Sequence, residues 1–308
     1  MQPPMMLINL QFSYTLVILG YILTMLTKTT QIKHFNFIVS GLLFIAMGLK
    51  FYGGAVLLAL VVVHALLFKK WGRIIYSILA VMLAVVIFYQ PKLGQTEIMT
   101  VNPLATVYPI IEEKSLFYFP RLAAAIYSDS VIKQVAVGGI ALLIFVIFNF
   151  GMRLIAIVGW KKWTKFDWSL ILTTMIALGA NVLLVQRGEW WNTVQFLYYG
   201  YFLIGILAAK QMSVWSNKSK WIGITAGIFV VLTSVPNALD TWRVFAQYPP
   251  GSYVSDQEKD ILSELKILPD GVVLALPLQR SEIGSSQSPS PLYLRYESAY
   301  VSAYTGKA

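Results

Sequence analysis

Apolar residues run along this chain in eight long blocks, and polar and charged residues collect between them. The blocks fall at about 7–26, 35–49, 52–68, 74–89, 135–152, 168–185, 192–209 and 221–237. About 20 apolar residues carry a helix across the hydrocarbon core of a bilayer. In lipid a helix satisfies its own backbone amides and carbonyls. A transmembrane β-barrel would instead show short segments of alternating polarity, whereas these runs are continuous. The pattern predicts an all-α polytopic membrane protein with about eight transmembrane helices. The second and third blocks meet around Lys50 to Gly54, and we read them as a tight helical hairpin in preference to a pair of broken helices.

Composition agrees with that reading. Charged residues make up 12% of the 308 positions and the mean hydropathy is +0.66. A soluble domain carries about 25% charged residues, so water is not the only solvent here. The chain has no cysteine, which removes disulfides, thiolate catalysis and cysteine-bound zinc. Two histidines, His34 and His64, are too few for a histidine metal site, and His64 reads as a packed or interfacial side chain. A net charge of +10 would suggest nucleic acid in a soluble protein.

The positions of the charges point elsewhere. One set of loops holds Lys28, Lys33, Lys69, Lys70, Arg73, Arg153, Lys161, Lys162, Lys165, Lys210, Lys218 and Lys220, with Asp167 the only acid. The alternate set holds Lys50, Lys92, Lys114, Arg121, Lys133 and Arg187, and also Glu97, Glu112, Glu113, Asp129 and Glu189. Basic residues stay on the cytoplasmic side. The first set is therefore expected inside, with both termini outside a cell membrane crossed many times. No nucleic-acid partner is expected; membrane lipid is.

Two domains are expected, a helical membrane domain over 1–237 and an extracytoplasmic α/β region over 238–308. In the second, Ser255-Asp-Gln-Glu258 reads as a capping box, followed by a helix bearing Ile261, Leu262 and Leu265. Pro269-Asp270-Gly271 signals a turn before a strand at 272–277. Seventy-one residues form a marginal core, so this region is expected to be incomplete. Met1 to Met6 lacks the basic n-region of a signal peptide. An outside start without a leader suggests that the chain begins partway through a longer protein.

Candidate chemistry sits at the outer mouth. Arg187, Glu189, Trp190, Trp191 and Asn192 link two blocks, and Gln195 lies one turn into the next. An Arg beside amides and indoles can hold a lipid phosphate, its fork matching the phosphate oxygens. The plainer alternative is an aromatic belt anchor with a surface ion pair. Glu112, Glu113 and Arg121 occupy the long outer loop 90–134. Paired carboxylates can do acid–base work or hold a divalent metal; solvated loop charge is the alternative. Residues 115–127 are aromatic and apolar but broken by Pro120 and Arg121, which suits an interfacial segment. Asn181 is expected to hydrogen-bond between helices, and Asp240 and Arg243 to pair along one turn. No metal motif and no catalytic signature appears, and no cofactor is identified.

Many spans, a long outer loop and an external α/β tail together resemble the GT-C superfamily of membrane glycosyltransferases. Trp190-Trp-Asn-Thr-Val-Gln-Phe-Leu-Tyr-Tyr199, Leu274-Ala-Leu-Pro277 and Ser298-Ala-Tyr-Val-Ser-Ala-Tyr-Thr-Gly306 are similar to segments of large bacterial membrane proteins of that kind. In them Asn9-Leu-Gln-Phe-Ser13 would open a later span. The resemblance implies a cell-envelope enzyme that takes sugar from a polyprenyl-phosphate donor at the extracytoplasmic face. It also implies that the catalytic acid of the first external loop lies upstream of Met1, leaving Arg187 to hold the phosphate. A transporter of lipid-linked glycans would show an inverted repeat or paired midplane charges, and neither is visible. A non-enzymatic membrane scaffold is the other alternative.

Overall fold

The computed structural model describes residues 10–28, 34–89, 99–112, 119–128, 130–186, 190–246, 252–269 and 290–291. They are mostly helical. The helices are α1 (Leu10–Thr27), α2 (Phe35–Leu49), α3 (Phe51–Leu67), α4 (Trp71–Tyr89), short α5 (Pro109–Glu112) and α6 (Pro120–Ile126), then α7 (Val131–Phe150). A 3-10 turn and the single turn α8 (Ile155–Val158) continue α7, and α9 (Lys165–Leu183), α10 (Val194–Lys218), α11 (Lys220–Ala246) and α12 (Asp256–Ile267) complete the series. Each of the eight apolar blocks is occupied by a long helix. Among the described residues three stretches are long and apolar enough to cross a membrane: Trp71–Tyr89, Val131–Val158 and Lys165–Leu183.

The chain divides into one unit over Met5–Thr233 and a second built from Ser234–Ala308 with Met1–Pro4. In the larger unit α3 is the hub, packing on α1, α2, α4, α9 and α10. Its sequence explains this. Apolar residues surround the whole helix, and a helix hydrophobic all round belongs in a core. Gly53 and Gly54 then let neighbours come close: a Cβ on Gly53 would lie 2.4 Å from Thr15 Cγ2, and one on Gly54 2.6 Å from Met47 Cα.

Met47 is on α2, so the chain folds back on itself across the single extended residue Lys50. The tight hairpin is what forms. Helices α2 and α4 run parallel beside each other. Phe35 and Arg73 meet near their N-termini, and Phe44 packs at a tilt against Phe88 toward their C-termini, where Tyr89 Oη donates to the Met47 carbonyl.

The core of this unit is apolar with a few buried polar side chains, and large apolar side chains also cover its outside. Thr15, Ser169, Thr173, Thr174 and Asn181 are buried, while Ile78, Leu79, Met82, Leu83, Val86, Ile87, Leu143, Ile147 and Phe148 face outward. The threonine hydroxyls of α9 are satisfied within their own helix, Thr173 Oγ1 donating to the Ser169 carbonyl at 2.7 Å and Thr174 Oγ1 to Leu170 at 3.0 Å.

In the second unit, α12 starts at Ser255, whose Oγ accepts from the Glu258 amide at 3.3 Å. Leu262 is buried, whereas Ile261 is exposed. A two-residue parallel pairing joins Ser252–Tyr253 (β3) to Ser290–Pro291 (β4). The strand expected at 272–277 and the side chains of Asp240 and Arg243 lie outside the described residues.

Candidate site at the outer loops

A two-stranded antiparallel sheet organises this site. Met99–Val101 (β1), from the long loop, pairs with Leu184–Gln186 (β2), which continues α9. The pairing extends past the strands: the Asn102 amide donates to Leu183 O at 2.9 Å and the Leu104 amide to Val182 O at 2.7 Å. Leu104 carries this bond in a left-handed conformation, φ 64°, which costs a non-glycine residue about 1–2 kcal/mol. It is held there by its surroundings, since its Cδ1 rests where a Cβ on Gly138 of α7 would stand.

Beyond Leu104 the loop enters the core. Val107, Ile110 and Ile111 are buried, and Thr106 Oγ1 donates to Asn181 O at 2.9 Å while accepting from Asn181 Nδ2 at 3.2 Å. Asn181 was expected to bridge helices. It pins the loop instead, because the loop's own hydroxyl reaches α9 first.

The sheet delivers Gln186 to a chain of hydrogen bonds. Gln195 Nε2 donates to Asn192 Oδ1 at 3.1 Å, and Asn192 Nδ2 donates to Gln186 Oε1 at 3.2 Å. Tyr52 Oη, from the first turn of α3, donates to the same Gln186 oxygen. Asn192 and Gln195 are adjacent because a 3-10 turn over Trp190–Thr193 runs directly into α10. The result is a fixed edge of amide and phenol groups joining the ends of α3, α9 and α10. Two residues before Tyr52, Lys50 is held below the ordinary lysine range by burial.

Of the sequence candidates, Asn192 and Gln195 are thus brought together. Trp190 and Trp191 are on the same turn, with their side chains outside the described set, as are Arg187, Glu189 and Glu113 altogether. Glu112 ends α5 and accepts from Tyr127 Oη at 2.8 Å. That bond, with the carboxylate's charge, raises the Tyr127 phenol above its usual range. Arg121 is exposed on α6. The described part of the segment read as interfacial packs as α6 on α5 and α7, with Ile126 buried.

Tyr52, Gln186 and Thr106 were missed in the sequence. Tyr52 and Gln186 flank apolar blocks, where polar residues usually meet water, and β1 is too short to show alternation. Among the described residues no group of three His, Asp or Glu side chains could hold a metal. Comparison with family models, characterised proteins and solved structures found no significant match to this chain.

Proposed function

We propose that the chain is a multi-pass membrane protein of about eight spans, the working part or a portion of a GT-C-type glycosyltransferase. Its outer amide edge takes a polyprenyl-phosphate-linked sugar. The observation that carries this reading is the β1–β2 pairing, which fixes the long loop against Gln186, Asn192 and Gln195. Neutral amides and a phenol in a fixed chain suit sugar hydroxyls, which both donate and accept. Arg187 follows Gln186 directly and would supply the forked cation for the phosphate. The basic loops at the other ends of the helices support an extracytoplasmic placement of this edge, with both termini outside. A sugar would pass to an acceptor attacking its anomeric carbon, the lipid phosphate leaving beside Arg187. The acceptor's proton would pass to a general base.

Retention of a polyprenyl phosphate by the purified chain in phosphatidylcholine nanodiscs, read by native mass spectrometry, tests this. Arg187→Ala is expected to lower retention about tenfold and Gln186→Ala by less, on the scale of charge-assisted against neutral hydrogen bonds. Retention unchanged in both variants would remove the site and leave a scaffold as the better reading.

A further inference from the structure

At the starts of α2 and α4 lies a cavity of about 580 Å³, lined by His34, Phe35, Asn36, Lys70, Arg73 and Tyr76. We infer that this cavity is a phosphate-binding site, distinct from the outer edge and independent of the function proposed for it.

Its chemistry is cationic from three directions. Parallel packing brings the N-termini of α2 and α4 to one place: a Cβ on Gly72 would lie 3.9 Å from Asn36 Nδ2. Each helix start carries roughly half a positive charge and unpaired amides. Neither first turn contains an acid, and α2 starts without a side-chain cap, from His34 in a left-handed conformation at φ 58°.

Arg73 supplies the second and independent observation. It is 5% exposed, and neither ion pair among the described residues involves it. A buried guanidinium without a counter-charge is costly. Its Nη1 donates to His64 Nδ1 at 2.9 Å, and its Cζ lies 4.1 Å from the Phe35 ring centre. Because arginine only donates, His64 is neutral there, with its proton on Nε2. The guanidinium is therefore held in place by neutral groups, and its buried Nε–H has no partner among the described residues. Arg73 lines the cavity, and a guanidinium with donors to spare can take an oxyanion there. Lys70 adds a mobile cation at the rim.

A free phosphate and the headgroup of an anionic lipid share this chemistry, and the test separates them. The purified full chain is placed in phosphatidylcholine nanodiscs with or without phosphatidic acid, and separately titrated with inorganic phosphate at constant ionic strength. Retained lipid is read by native mass spectrometry, and thermal shift reports the free ion. Preferential retention of phosphatidic acid assigns a lipid phosphate; saturable stabilisation by inorganic phosphate assigns a free one; either supports the site.

Arg73→Gln is expected to lower affinity about tenfold or more, as for loss of a charge-assisted bond. Lys70→Gln, at an exposed position that no fold contact needs, should lower it about fivefold and decides the matter if Arg73→Gln does not fold. Arg187→Ala should leave this binding unchanged. No preference for either phosphate, or wild-type affinity in Lys70→Gln and in any folded Arg73→Gln, overturns the inference.

Discussion

Gly54→Ala is expected to destabilise the protein by about 2 kcal/mol, and Gly54→Leu to abolish folded material. Two effects oppose each other. Alanine in a helix interior is favoured over glycine by about 1 kcal/mol. Overpacking a tight core costs about 1–3 kcal/mol, occasionally more. The new Cβ would stand 2.6 Å from Met47 Cα and 2.9 Å from Met47 N. These are backbone atoms, so no rotamer change relieves the overlap, and helices α2 and α3 must separate. Overpacking therefore wins. Gly41→Ala is the control, because a Cβ there meets nothing within 4 Å, and it should be neutral or slightly stabilising. Thermal unfolding of the three variants in one detergent checks the ordering; equal stability of Gly54→Ala and Gly41→Ala would contradict the α2–α3 hairpin.

Asp167→Ala is expected to cost about 2–4 kcal/mol, and Lys210→Ala under about 1 kcal/mol. Asp167 is buried at the start of α9, where its Oδ2 accepts from the Thr164 amide at 2.7 Å, Thr164 Oγ1 at 2.8 Å and Lys210 Nζ at 2.5 Å. Thr164 Oγ1 accepts in return from the Asp167 amide, closing a capping box. Removing the carboxylate loses charge-assisted bonds of about 1.5–3 kcal/mol and weakens a cap of about 0.5–2 kcal/mol. Lys210 is half exposed, so its ion pair is screened by solvent and contributes little; without it Asp167 keeps Thr164. Chemical denaturation of both variants checks the asymmetry, and equal losses would show that the ion pair, not the cap, anchors α9.

The helices were legible because hydropathy over about 20 residues is a strong signal and lipid leaves the backbone few choices. Even short blocks such as 35–49 gave helices in place. What hydropathy could not reveal is which faces meet. Gly53-Gly54 looks like punctuation in sequence, yet it marks a close helix approach in the core. Arg73 was counted among loop charges, as its sign and its neighbours Lys69 and Lys70 suggest. It lies instead in the first turn of α4, buried against Phe35 and His64. The outer edge was half legible. Asn192 and Gln195 stood out beside tryptophans, but their partners Gln186 and Tyr52 depend on a three-residue sheet between segments about 80 positions apart. Glu112 was singled out for its neighbour Glu113, while its partner is Tyr127, fifteen residues on.

On the proposed topology the long loop pairs with the α9–α10 connection on the extracytoplasmic face. A Val101→Cys, Leu184→Cys pair tests it in this cysteine-free background. The two positions are register partners and, since Asn102 and Leu183 share a ladder bond, they form a closer pair of about 4.5 Å between Cα atoms. A short, charged, membrane-impermeant thiol cross-linker is applied to intact cells. The account predicts an intramolecular cross-link before the cells are opened. A cross-link that forms only in opened cells would reverse the orientation, and none in either case would contradict the pairing on which the site is built.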